Sequence, residues 1–170
     1  MKFKRFMSVG VFLLFLALDA PGPASAWASQ AGMPSDYEIG SIIIDTKDHQ
    51  LLFVRGNYDI VVYPIAVGRQ GRKWTGTTEI SRKVLHPAWA PPPIIRKDNP
   101  KLPALVKAGP TNPVGVAVLV LGDGTYGIHG TNRDETIGTD ASYGCFRMHN
   151  ADILALFKMV GIGTKVRVQK

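Results

Sequence analysis

Tyr126-Gly127-Ile128-His129-Gly130-Thr131, continued by Ser142-Tyr143-Gly144-Cys145-Phe146-Arg147, is the stretch from which the rest of the chain is best read. Its first half closes a hairpin. Val114 to Leu121 is nearly continuous apolar sequence, Gly122-Asp123-Gly124 turns it, and Tyr126–His129 returns. Its second half holds the only cysteine, sixteen positions after His129. A lone thiol has no intramolecular disulfide partner, so Cys145 is either a small buried hydrophobe or a reactive group. Three features together make such a thiol a nucleophile: a tight turn beneath it, a base within reach, and backbone N–H groups facing a developing oxyanion. Gly144 permits the sharp approach, the turn's own amides supply donors, and His129 at a strand end supplies the base. An imidazole beside the thiol favours a thiolate–imidazolium pair and so lowers the thiol pKa.

Outward from this stretch the pattern is mostly β. Ile39 with Ile42-Ile43-Ile44, Gln50–Val54 and Ile60–Val67 are short β-branched runs, the last two separated by Gly56-Asn57. Pro64 points to a sheet edge or a bulge. Arg69–Thr78 breaks the pattern and Ile80–Leu85 resumes it. His86–Pro113 carries eight prolines and predicts a long irregular segment, read as a substrate-covering flap, with a surface insertion as the alternative. Trp89, Ile94, Ile95 and Leu102 give that flap apolar groups to pack down. Asn150 is the expected N-cap of a helix whose apolar face is Ile153, Leu154, Leu156, Phe157 and Val160, ending at Gly161. Thr164–Val168 alternates as a closing strand. Many strands with one or two short helices predict a mostly β single domain.

The N-terminus divides off. Lys2, Lys4 and Arg5 precede an apolar run from Met7 to Leu18, then Ala24-Ser25-Ala26. Residues 1–26 are therefore expected to be a signal peptide, with a membrane anchor as the alternative. The apolar run is shorter than the roughly 20 residues a spanning helix needs. Residues 27–37 form a short flexible lead-in and 38–170 the domain proper. An exported chain is expected in the periplasm. The chain has 20 basic and 13 acidic residues, and 17 against 12 once residues 1–26 are set aside. That balance suits an anionic partner, but the scattered basic residues exclude a nucleic-acid stripe. His129, Cys145 and His149 are all possible zinc ligands, yet the chain lacks paired ligand spacing, so no metal is expected.

The segment Ile128-His129-Gly130-Thr131-Asn132 … Ile137-Gly138 … Ser142-Tyr143-Gly144-Cys145-Phe146-Arg147-Met148-His149-Asn150 resembles the L,D-transpeptidase (YkuD-type) catalytic domain family. Ala66-Val67-Gly68-Arg69, Thr75-Gly76-Thr77, Asn112-Pro113 with Gly115, and Gly163-Thr164-Lys165-Val166 are similar to further landmarks of that family. The tract Lys83–Pro113 is similar to its Gram-negative branch, which includes lipoprotein-attaching members. The resemblance covers residues 38–168. It implies an L,D-transpeptidase-like β-sandwich, no cofactor, and peptidoglycan stem peptides as substrate. It further implies Cys145 as nucleophile, His129 as base, and the Gly130 carbonyl oxygen as the group holding the imidazole tautomer. Ser142 and Gly144 would shape the turn, Ser142 also steadying the His. Arg147, Tyr143, Thr131, Asn132 and Trp89 are the candidate substrate contacts. Tyr143 stands where the family often has His, so no imidazole role carries over to it. Phe146 is bulkier than the usual aliphatic. The acceptor stays open between a neighbouring stem peptide, a lysine of an outer-membrane protein or lipoprotein, a free D-amino acid, and water, the last giving an L,D-carboxypeptidase. A non-catalytic wall-binding module is the remaining alternative.

Overall fold

A computed structural model describes residues 37–170; the segment 1–26 and all but the last residue of 27–37 lie outside the described residues. Ten strands and two helices follow in order: β1 (Ile42–Asp45), β2 (Gln50–Gly56), β3 (Asp59–Pro64), β4 (Val67–Gly68), β5 (Gly76–Leu85), α1 (Pro93–Asp98), β6 (Ala117–Leu121), β7 (Tyr126–His129), β8 (Asp140–Ser142), β9 (Phe146–Arg147), α2 (Asn150–Met159) and β10 (Lys165–Gln169). Eight strands form one curled sheet in the order β3-β2-β1-β10-β5-β6-β7-β9, while β4 and β8 make a separate parallel pair. The sandwich is thus a single sheet folded over, with the long strand β5 shared between its halves. Pro64 ends β3, the outermost strand, where a missing N–H costs no ladder bond.

Period-two alternation puts Ile42 and Ile44 of β1, Leu51 and Phe53 of β2, Leu119 and Leu121 of β6, and Val166 and Val168 of β10 into one core. Each such side chain contributes about 1.5–3 kcal/mol on burial. The closing strand β10 pairs parallel with β1, Val166 opposite Ile42, so the two ends of the domain are tied by one ladder. Helix α2 lays Ile153 and Leu156 onto this core.

Several boundaries differ from the sequence expectation: β5 already begins at Gly76, inside the stretch read as a break, and the Ile60–Val67 run is split between β3 and β4. The strand predicted over Val114–Leu121 begins only at Ala117. Gly115, at φ +62°, passes so close to Asn150 and the Thr131 backbone that any Cβ would collide with both. Asn150 is the first residue of α2, and His149 holds the N-cap position without a side-chain cap bond. The Asn150 amide is occupied elsewhere: its oxygen accepts from Val116 N (3.3 Å) and Thr131 N (3.2 Å), and its nitrogen donates to Thr131 O (2.8 Å). The helix also ends at Met159, where Lys83 Nζ caps the carbonyls of Phe157 and Val160 (2.6 and 2.5 Å).

Residues 86–113 have more order than their prolines suggest. Trp89 and Val106 exchange two backbone hydrogen bonds of 2.8 Å. Buried Asn112 donates to the carbonyls of Pro87 (2.8 Å) and Lys107 (3.1 Å) and accepts from Val114 N (3.0 Å), closing the base of the loop. Helix α1 forms its tip. Pro93 at its first turn costs nothing there, because that N–H has no helical partner.

Candidate active site

The site is built where β7 and β9 run parallel, Ile128 opposite Phe146 and His129 opposite Arg147. Ile128 and Phe146 point into the core, both essentially fully buried. Alternation then sends His129, Arg147 and, one residue before β9, Cys145 to the opposite face. These three line a cavity of about 90 Å³ together with Ser142, Tyr143, Trp89, Pro92, Ile95, Pro113 and Val114.

The Ser142–Cys145 turn is over-determined. Ser142 Oγ donates to Cys145 O (2.5 Å) and accepts from Gly144 N (3.0 Å), so one hydroxyl closes the turn from both sides. Gly144 sits at φ +119°, and a Cβ there would stand 2.6 Å from the Tyr126 ring. Only glycine fits. The Gly144 amide is therefore committed to Ser142. Among the described residues the amides of Tyr143 and Cys145 take no protein acceptor, which leaves them as the turn's candidate oxyanion donors.

His129 is 6% exposed, and its Nδ1 lies 2.6 Å from Gly130 O. A carbonyl only accepts, so Nδ1 carries the hydrogen and Nε2 is the basic nitrogen of the neutral ring. Burial pushes the imidazole down to about 4, against the raising effect of the Gly130 carbonyl. Burial likewise pushes the Cys145 thiol up, opposed by backbone hydrogen bonding from Gly127 and by the Arg147 charge. Desolvation thus disfavours both the thiolate and the imidazolium of the expected pair.

Arg147 is half-buried, touches Thr136 Oγ1 (3.3 Å) and makes no ion pair among the described residues. Burial lowers its pKa, and Arg133 adds to that. A guanidinium left without a carboxylate beside a cavity is poised to receive one. Thr131 and Asn132 are placed elsewhere. Thr131 is buried, its Oγ1 accepting from Arg133 N (3.0 Å), and Asn132 Nδ2 donates to Thr111 O (2.9 Å). Both steady the joint between β7 and the loop base and neither lines the cavity. Ser142 makes its two bonds within the turn and none to His129.

Several residues at the site carry no motif signal. Trp74 Nε1 donates to Gly144 O (3.0 Å) while its ring stacks on Tyr126 at 4.9 Å. Asp98, at the end of α1, accepts from Tyr143 OH (2.7 Å) and from Arg69 Nη2 (2.8 Å), and the Arg69 guanidinium lies 4.0 Å over the Tyr143 ring. The tip of the loop is thereby latched to the rim of the nucleophile turn. His149 pairs with Asp134 (2.9 Å). Among the described residues no group of three or more His, Cys, Asp or Glu is arranged to hold a metal.

A cysteine on a glycine turn, a buried neutral imidazole on the next strand and uncommitted amides form the arrangement that thiol-dependent acyl transfer requires. The chain belongs to the L,D-transpeptidase catalytic domain (YkuD) family, whose model matches residues 40–168. It is similar to the probable L,D-transpeptidase YbiS of Escherichia coli K12, 36% identical over 143 residues, 79% of this chain and 46% of that protein. It is also similar to the probable L,D-transpeptidase ErfK/SrfK of the same organism, 38% identical over 136 residues, 75% of this chain and 43% of that protein. The matched part is less than half the length of these relatives. Solved structures share the fold. L,D-transpeptidase 3 of Mycobacterium tuberculosis aligns with TM-score 0.61 at 15% identity, over 76% of this chain and 60% of that one. The catalytic domain of the Enterococcus faecium L,D-transpeptidase, solved acylated by ertapenem, aligns with TM-score 0.59 at 18% identity, over 79% and 100%.

Proposed function

We propose that this protein is a peptidoglycan L,D-transpeptidase working through an acyl-enzyme on Cys145. The observation that carries the reading is the shared cavity of Cys145, His129 and Arg147 over the Ser142–Cys145 turn. A stem tetrapeptide enters with a carboxylate toward Arg147 and the carbonyl of its third residue against the sulfur. As the C–S bond forms, His129 Nε2 takes the thiol proton, and the carbonyl oxygen gains charge facing the Cys145 and Tyr143 amides. Desolvation of both charged forms suits this order, because the proton moves only as the bond forms. Gly130 O keeps Nδ1 protonated throughout. The C–N bond to the terminal D-Ala then breaks, the leaving amine takes the proton from His129, and a thioester remains. An acceptor amine attacks that thioester, gives a proton to His129 and returns the thiol.

Trp89, Ile95 and Tyr143 form the apolar and aromatic walls for the stem peptide. Tyr143 serves there as a wall and as the anchor of the loop tip. Support for an exported, periplasmic enzyme comes from the leader pattern of residues 1–26 and from the Escherichia coli relatives. No helix among the described residues is long and apolar enough to cross a membrane.

The test is intact-protein mass spectrometry of the reduced protein with a tetrapeptide stem. The expected result is an acyl adduct on the wild type, with loss of D-Ala, and none on Cys145→Ala. A folded, reduced wild type that stays unmodified overturns the reading. Purified sacculi then identify the acceptor. New 3–3 dimers, protein-linked muropeptides or shortened tripeptides each mark one amine or water as the resolving nucleophile. Carbapenems should label the same thiol, and equal labelling of Cys145→Ala would show that the thiol is not their target.

A further inference from the structure

We propose that Trp74 is a positioning residue for the oxyanion site, acting through the Gly144–Cys145 peptide; the inference rests on the acyl-enzyme reading above. The reasoning begins with peptide planarity. In a trans peptide the C=O of one residue and the N–H of the next share a plane and point in opposite directions, and the described chain has no cis bonds. Holding Gly144 O therefore aims Cys145 N–H. Gly144 O is held by the Trp74 indole N–H at 3.0 Å, a part-buried contact between residues seventy positions apart.

Without such a hold this peptide would be the freest in the turn. Ser142 Oγ ties the peptides on either side, through Gly144 N and Cys145 O, but it makes no hydrogen bond to Gly144 O or Cys145 N. Gly144, at φ +119° with no Cβ, gives the plane little steric resistance to rotation. The indole supplies what the sequence of the turn lacks. Its own position is set by packing: stacked on Tyr126 at 4.9 Å with 19° between planes, and tilted against Phe146 at 5.6 Å. Tyr126 and Phe146 belong to β7 and β9, the strands that carry His129 and Arg147. The donor that aims the oxyanion amide is thereby referenced to the strands that place the base. An oxyanion donor contributes fully only when aimed in advance at the charge that develops.

Trp74→Phe keeps a ring on Tyr126 and deletes the N–H. Acylation by the tetrapeptide should slow about tenfold or more, in kcat and with KM little changed, since the amide acts on the transition state. Alkylation of Cys145 by iodoacetamide develops no carbonyl oxyanion, so its rate should stay at the wild-type value. The thioester carbonyl stretch of the acyl-enzyme should move to higher frequency as its hydrogen bond weakens. Benzothienylalanine at position 74, which replaces only the N–H by sulfur, should reproduce all three results and excludes a packing effect. Wild-type acylation and alkylation rates in the variants would overturn the proposal. So would a fall of both rates in equal proportion, which assigns Trp74 to the fold of the turn. A wild type that fails to acylate at all sinks the enzymatic reading and not this inference alone.

Discussion

The wall that carries Cys145 and the loop that covers it are held by different physics. The wall, β7–β9 with its flanking turns, rests on buried and part-buried hydrogen bonds and close backbone approaches: Ser142 inside its turn, Asn150 on three backbone groups, Gly115 and Gly144 where a side chain cannot fit. The loop is anchored at its base by buried Asn112, but its tip is tied down by Asp98 through exposed contacts to Arg69 and Tyr143. Buried polar networks cost their full desolvation when broken, whereas exposed ion pairs contribute little and are screened by salt. Cys145 is thus carried by the more firmly held of the two parts, and the loop tip beside it by the more weakly held.

A matched pair of glycine substitutions tests this division most severely. Gly144→Ala forces a left-handed residue into the Tyr126 ring. It should cost about 2–4 kcal/mol in chemical denaturation and abolish acylation. Gly109→Ala, in the loop at φ +150° with nothing within 4 Å of its Cβ, should cost about 1 kcal/mol and leave alkylation of Cys145 unchanged. Similar losses in both variants would break the comparison.

Asn150→Ala removes three part-buried hydrogen bonds and leaves the amides of Val116 and Thr131 without their acceptor. A loss of about 3 kcal/mol is expected, with slower acylation because Gly130 and His129 lie next to the released segment. This residue marks the limit of legibility in the sequence. Asn before an apolar helical face is a good cap, and local propensity says nothing about a better use for its amide across the fold. Trp74 and Asp98 were illegible for the same reason: their partners Gly144, Arg69 and Tyr143 lie far off in the chain. The strand runs, the β6–β7 hairpin and the Cys145–His129 pair were legible because alternation, turn residues and the glycine-bearing motif are local signals. The ionisation state was not. Spacing suggests that a thiol and an imidazole share a cavity, but the desolvation that acts on each depends on the packing around them.

That burial has its own test. His129 is held near 4 in the fold against about 6.5 unfolded, so the unfolded chain binds the extra proton between those values. Stability should therefore fall as pH drops from 6.5 toward 4, by roughly 3 kcal/mol from this group, and be fully present above 6.5. His129→Gln should lose this share of the slope. The thiol runs the other way. Because burial pushes it above the ordinary thiol range, iodoacetamide alkylation should continue to climb past pH 9. A plateau near neutrality would restore the ion pair as the resting state.

The smallest expected effect concerns the loop tip, and it separates two kinds of contact. Asp98→Asn keeps an acceptor for Tyr143 OH and removes the charge that faces Arg69. The melting temperature should not change, while amide exchange across Pro93–Asp98 should rise several-fold. Salt should raise that exchange in the wild type and leave it unaffected in the variant, since only the charged contact is screened. Tyr143→Phe removes the other arm and should leave the salt dependence in place. The hydroxyl and Arg69 both hold the Asp98 carboxyl below the usual carboxylate range. The latch is therefore present above that range and is released only as pH falls through the depressed value. Were Asp98→Asn to lower the melting temperature as Asn150→Ala does, the tip would belong to the rigid wall, and opening the site would require partial unfolding.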